Sequence, residues 1–170
     1  MKNKVAVITG GSSGIGEALA YKFSEENFNV VITGTNKDRL NNVLSKIKKN
    51  GVSCEGVIHD ISSSNDVKKM VDISIRKFGR IDVLICNAGI SIRSLFEDLD
   101  LNTFEKLFRI NFLGTVYSVK HSLPHLIKTS GTIIGISSLN GFIATPTRTA
   151  YVSSKHAMQG FFDSLRLELK

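Results

Sequence analysis

The sequence has few cysteines, no long apolar run and no block of like charge. Its two cysteines, Cys54 and Cys86, each lie in a strand-like stretch and lack metal-ligand spacing. That excludes a disulfide scaffold or a cysteine-based metal site and predicts two reduced, buried thiols. The apolar runs are broken by Gly, Ser and charge, so none reaches the length needed to cross a bilayer. The opening MKNKVAVITGG has no signal-like features and enters a strand-like run almost at once, so the expected location is cytoplasmic. The formal charge is +7. However, Lys and Arg are scattered, as in NKDRLNNVLSKIKKN, with no aromatic-interleaved patch. They read as solvated helix faces, without nucleic acid or membrane as a partner. A positive excess also suits an anionic cofactor. No repeat, low-complexity tract or linker divides the chain. With 170 residues, 42% hydrophobic and 22% charged, residues 1–170 are expected to form one domain.

What is present is alternation. KVAVIT (4–9), NVVITG (29–34), VSCEGVIH (52–59), IDVLIC (81–86) and GTIIGIS (131–137) read as strands. Helical patterns separate them. The first spans about 13–27, with Ile15, Leu19 and Phe23 inward, and the second carries Leu40, Val43, Leu44 and Ile47 and ends at Asn-Gly. The third carries Val67, Met70, Val71 and Ile75, with a serine cap and a stop at Gly79. A long helix over about 101–121 sets Phe104, Leu107, Phe108 and Thr115 on one face, and the last puts Tyr151, Lys155, Met158, Phe162, Leu165 and Leu169 on one stripe. Continuous apolar strands alternating with helices predict an α/β, doubly wound parallel sheet of Rossmann-like type, order 3-2-1-4-5. In such sheets ligands bind beyond the carboxyl ends of the strands, where the strand order reverses.

The residues at those ends fit that role. TGGSSGIG (9–16) joins the first strand to the first helix. Gly10, Gly14 and Gly16 permit a tight turn, close backbone approach to phosphate and close helix packing, though the spacing is not G-x-G-x-x-G. After the second strand, Gly34, Thr35 and Asn36 occupy the corner where an acid would grip the 2′-hydroxyl of NAD, and no acid comes before Asp38. Thr35, Asn36, Lys37 and Arg39 could accommodate a 2′-phosphate, which favours NADP(H) and leaves NAD(H) possible. Lys37 and Arg39 could also be surface residues of a helical first turn. Asn111, on the apolar side of the long helix, is either a structural knot or a site residue. Arg148 could meet an anionic substrate or sit exposed in its loop. Lys155 on an inward stripe has a bland reading, its stem along the core and its ammonium at water.

The ordered set TGGSSGIG, HD (59–60), NAG (87–89), Asn111, Ser138 and YVSSK (151–155) resembles the short-chain dehydrogenase/reductase family over essentially the whole chain. The stretch from ISSLNG to LRLEL is most similar to its hydroxysteroid-dehydrogenase-like and carbonyl-reducing branch. The resemblance implies hydride transfer between NADP(H) and a small-molecule ketone or secondary alcohol. It makes Tyr151 the general acid or base, since a neighbouring ammonium stabilises a phenolate. Lys155 supplies that ammonium and bonds the nicotinamide ribose. Ser138 holds the substrate oxygen, with Ser137 the alternative, and Asn111 fixes a water on a proton path. It further implies that Gly10, Ser12, Ser13, Gly14, Ile15 and Gly16 meet the cofactor phosphates. Asp60 and Ile61 then lie at the adenine and Asn87, Ala88 and Gly89 near the ribose. No metal is implied; a homo-oligomer is. Family members continue beyond LRLELK into a sixth strand, a substrate-covering loop and a seventh strand. A 170-residue form without these is expected to bind dinucleotide weakly and turn over little. The alternative, against which the retained Tyr151, Lys155, Ser138 and Asn111 argue, is a dinucleotide-binding fragment or sensor without turnover.

Overall fold

Val5, Ala6, Val7 and Ile8 are all fully buried, which a strand achieves only when both faces of its sheet are covered. These four residues form β1 (Val5–Ile8), the middle of a five-stranded parallel sheet in a computed structural model that describes residues 3–169. The other strands are β2 (Asn29–Gly34), β3 (Cys54–Ile58), β4 (Val83–Cys86) and β5 (Thr132–Gly135), in the spatial order β3-β2-β1-β4-β5. Register runs Val5 to Asn29 on one side of β1 and Ala6 to Val83 on the other. Order and direction are as the alternation predicts. Several strands are shorter than their apolar runs, because flanking residues such as Thr9 and Asp82 continue single ladder bonds without regular pairing.

Side chains of β1 alternate between two cores. Ala6 and Ile8 face α1 (Gly14–Glu25) and α2 (Lys37–Lys48); Val5 and Val7 face α3 (Ser64–Phe78), α5 (Gly114–Thr129) and α6 (Thr149–Glu168). In α1 the buried stripe is Gly16, Ala20 and Ser24, with Leu19 and Phe23 half-buried. Ile15, expected inward, is 63% exposed, because the glycine turn sets the first residues of α1 at the sheet's open end. Ser63 caps α3 by accepting from the Asp66 N–H, and Gly79 ends it at φ 77°. Both thiols are free and buried, and desolvation pushes the Cys86 thiol up to about 12.

The long helix differs most from its sequence pattern. It runs to Thr129, and Arg109–Leu113 form a π-turn between α4 (Leu101–Phe108) and α5. Leu107 packs with Ala150 and Tyr151 at the start of α6. The small residues Ser118 and Ser122 are fully buried on α5, and His121 hydrogen-bonds Ser64 of α3 at 3.0 Å. The stripe of α6 is buried or half-buried as far as Leu165; Leu169, expected inward, lines an open groove beside the start of β5 and is exposed there.

β5 pairs only with β4. Its outer edge opens on a groove of about 760 Å³ between α5 and α6, lined by Leu123, Ile133, Met158 and Phe162 among others. An unpaired edge opens at lower cost than a strand buried on both sides. Amide hydrogen exchange should therefore rank the strands, with β1 slowest and β5 fastest. Equal protection of Ile133 and Val7 would contradict this ranking.

Candidate active site

The site begins where β1 and β4, neighbours in the sheet but far apart in sequence, both end. Thr9 donates its hydroxyl to Ile85 O at 3.3 Å and accepts from the N–H groups of Asn87 and Ala88 at 3.0 and 3.1 Å. The Asn87 amide donates to Thr9 O at 3.0 Å and Gly10 O at 3.1 Å. This ties the glycine turn to the end of β4. Gly10 sits at φ 65°, and a Cβ on Gly16 would lie 2.3 Å from Gly10 O. Gly16 thus serves helix packing, and Gly14, at φ 56° with open space around it, serves the turn.

Beyond the turn lies a cleft of about 620 Å³. Of the residues picked out from the sequence, Gly10, Ser12, Ser13, Ile15, Thr35, Asp60, Ile61, Asn87, Ala88, Gly89, Tyr151 and Lys155 line it. Helices α2, α3 and α4 are capped by the side chains of Asn36, Ser63 and Asp100, whereas Ser13 makes no capping bond to α1. The first-turn N–H groups of α1 are therefore left for an anion at the cleft. Asn36 caps α2 through its Oδ1, which accepts from Arg39 N at 2.9 Å, and Lys37 and Arg39 are exposed and not among the lining residues. Asp60 accepts from the N–H and hydroxyl of Ser62 with one carboxylate oxygen.

The cleft also contains His59, the first residue of the His-Asp pair at 59–60. It is 8% exposed, and neither ring nitrogen has a partner. Burial lowers its pKa, opposed by the carboxylates of Asp66 and Asp60. Its position on the last residue of an apolar run, directly before an acid at a strand end, was the available signal. Thr33, Ile90, Ile110 and Ile136 complete the walls.

At the opposite end α6 delivers Tyr151 and Lys155 one turn apart. Lys155 is 5% exposed, so the bland reading of a snorkelling ammonium does not hold. Its Nζ donates to Ile136 O at 2.8 Å and lies 5.9 Å from the centre of the Tyr151 ring. Desolvation holds its pKa below the usual lysine value. Ser138 lines an adjoining cavity together with Tyr151, and its hydroxyl accepts from Asn140 N at 3.2 Å. Ser137 lines the main cleft, with a buried hydroxyl that has no partner. Asn111, within the π-turn, is 1% exposed. Its amide bonds Ile90 N at 2.8 Å, Ile90 O at 2.9 Å and Ser154 Oγ at 3.1 Å. The side chain is a knot joining the segment after β4 to α6, with its NH2 donating twice and its Oδ1 accepting once.

This arrangement has relatives. The family model for short chain dehydrogenases matches residues 4–170, and the chain belongs to that family. It is 38% identical over 171 residues to the 11-beta-hydroxysteroid dehydrogenase-like 4A protein of Arabidopsis thaliana, covering 99% of this chain and 57% of that protein. It is 37% identical to human dehydrogenase/reductase SDR family member 7, covering 99% of this chain and 51% of that one. An alcohol dehydrogenase from the archaeon Thermococcus sibiricus, solved with 5-hydroxy-NADP, superposes with a TM-score of 0.94 at 29% identity, over 97% of this chain and 71% of that one. The chain thus spans little more than half the length of the curated relatives named here. Among the described residues no helix is long and apolar enough to cross a membrane.

Neutral, buried His59 makes stability pH-dependent. Its folded pKa is lowered, while an exposed imidazole titrates near ~6.5. Below that value the unfolded chain binds the extra proton first, so the stability contributed by neutral His59 is present above ~6.5 and is lost as pH falls towards the folded value. Urea midpoints should drop between pH 7 and pH 5, and His59→Leu should flatten that drop. An unchanged slope in the variant would contradict this assignment.

Proposed function

We propose that this chain is the dinucleotide-binding and catalytic part of an oxidoreductase that interconverts a ketone and a secondary alcohol with NADP(H). The observation that carries the reading is a lysine, 5% exposed, held beside Tyr151 in the same cleft that receives the uncapped end of α1. A buried ammonium without a carboxylate partner is costly, and such costs concentrate at functional sites. A dinucleotide fits the chain's own residues. The glycine turn leaves backbone room, and two unpartnered polar side chains, His59 and Ser137, belong to the residues that line the cleft.

When bound, the nicotinamide supplies or accepts the hydride. Tyr151 gives its hydroxyl proton to the carbonyl oxygen in reduction and takes it back in oxidation. Lys155 holds positive charge beside the phenol and orients the cofactor ribose, while Ile136 O fixes its Nζ. Ser138 donates to the substrate oxygen from the cavity it lines with Tyr151. Asn111 acts through position, keeping the Ile90 segment and α6 in register through its three amide bonds. Tyr151→Phe should leave dinucleotide affinity nearly intact and lower any turnover by about 10²- to 10⁴-fold. Lys155→Met should weaken both. Full turnover in Tyr151→Phe would remove the assignment.

The preference for NADP(H) rests on the corner after β2. Thr35 lines the cleft, no acid precedes Asp38, and Lys37 and Arg39 lie exposed next to it. NADPH should bind more tightly than NADH, with the difference shrinking as salt screens the phosphate. Thr35→Asp should reverse the order. Equal affinities in the unaltered chain would refute this reading of the corner.

A second reading is dinucleotide binding without turnover, favoured by the open edge of β5 beside the catalytic helix. Fluorescence titration with NADPH and ketone reduction on one sample separate the two readings.

A further inference from the structure

Two loops meet at the outer side of Tyr151, and each brings an arginine. Arg93 follows β4, and Arg148 immediately precedes α6; both line the roughly 530 Å³ cavity that also holds Ser138 and Tyr151. The loops are fastened to one another, since Ser94 N donates to Thr147 O at 2.9 Å and Arg148 Nη1 donates to Ser91 Oγ at 2.6 Å. Thr147 is held at φ 62°, a region that a β-branched residue seldom enters without constraint from its surroundings. The guanidinium of Arg148 stands 5.8 Å from the centre of the Tyr151 ring, on a ring that Lys155 approaches to 5.9 Å. No Asp or Glu lines this cavity, and neither arginine forms an ion pair among the described residues. The remaining lining is Asn140, Thr145, Pro146 and Thr147, with no large aliphatic side chain.

We infer that the substrate of this site carries a carboxylate, received by Arg148 with Arg93 as its second cation, while its ketone or alcohol oxygen lies at Ser138 and Tyr151. A planar guanidinium already oriented by one hydrogen bond keeps further donors free for a two-pronged contact with a carboxylate. Two cations lining one cavity that has no acidic residue in its lining favour an anionic group there. The inference rests on the placement of the reacting end at Tyr151 and Ser138, and it adds the substrate's charge.

The test uses the whole chain and two small ketones of the same skeleton, 4-oxopentanoate and its methyl ester. Binding is read from amide NMR shifts or calorimetry, with and without saturating NADPH. The keto acid should bind about tenfold or more tightly than the ester, with the largest shifts in 91–94 and 145–151. Arg148→Gln should abolish most of that preference while leaving NADPH affinity unchanged, and Arg148→Lys should restore part of it. Because Arg148 adjoins α6, Arg93→Met provides an independent arm and should reduce the same preference with the fold undisturbed. Equal binding of acid and ester, no detectable binding of the acid, or a preference that survives both substitutions would overturn the inference. Loss of NADPH binding with an intact Arg148-dependent preference would instead count against the dinucleotide reading and leave this one standing.

Discussion

The cleft depends on one junction, the hydrogen bonds that join the ends of β1 and β4 through Thr9 and Asn87. At this point the chain order in the sheet reverses, so two helical layers diverge and leave a gap that no side chain fills. Such a gap would expose the last backbone groups of both strands. Thr9 and Asn87 satisfy them locally, with the Asn87 amide taking both Thr9 O and Gly10 O. The glycine turn then has a defined direction, and the first turn of α1 points its N–H groups at the cleft. Every proposed role downstream assumes that this corner is rigid.

The far end of the cleft is held in another way. Lys155 sits in an environment that disfavours its charge, with one carbonyl as its hydrogen-bond acceptor and the Met158 sulfur 3.9 Å away. Nothing in core packing calls for an ammonium there, and an apolar side chain of similar length would be cheaper to bury. The local stability given up is what leaves a cation beside Tyr151. The arrangement is carried by a 20-residue helix whose N-terminal turn packs on Leu107 and whose Ser154 is bonded to Asn111.

Much of this is legible in the chain alone, for identifiable reasons. Continuous apolar runs state that strands are buried on both faces, and alternation with helices then leaves few topologies. Residue type at the strand ends marks the glycine turn and Asn87, and helical spacing sets Tyr151 and Lys155 on one face of the last helix. What periodicity misses is whatever depends on distance across the fold. Ile15 continues an inward pattern, yet it lies beyond the sheet where there is nothing to pack against. Asn36 reads as a phosphate contact, and the structure adds a second role, since its Oδ1 caps α2 while its amide NH2 takes no part in that bond. His59 draws no attention in a list of residues, since only tertiary structure shows that its ring is buried and unpartnered.

The π-turn at Arg109–Leu113 has a geometric consequence of its own. A π-turn closes its hydrogen bonds one residue later than an α-turn, so it shifts the angular phase of everything after it by about one residue, roughly 100°. α4 and α5 therefore share an axis and a peptide chain while addressing different neighbours, Leu107 towards the start of α6 and the small-residue face of Ser118 and Ser122 towards α3. The helix works as a coupling between two gears with offset teeth, and Asn111 sits at the offset. Such a joint absorbs one extra residue: losing a single residue between 109 and 113, with the turn tightening to α, would leave both halves facing their partners and remove the offset at which Asn111 sits.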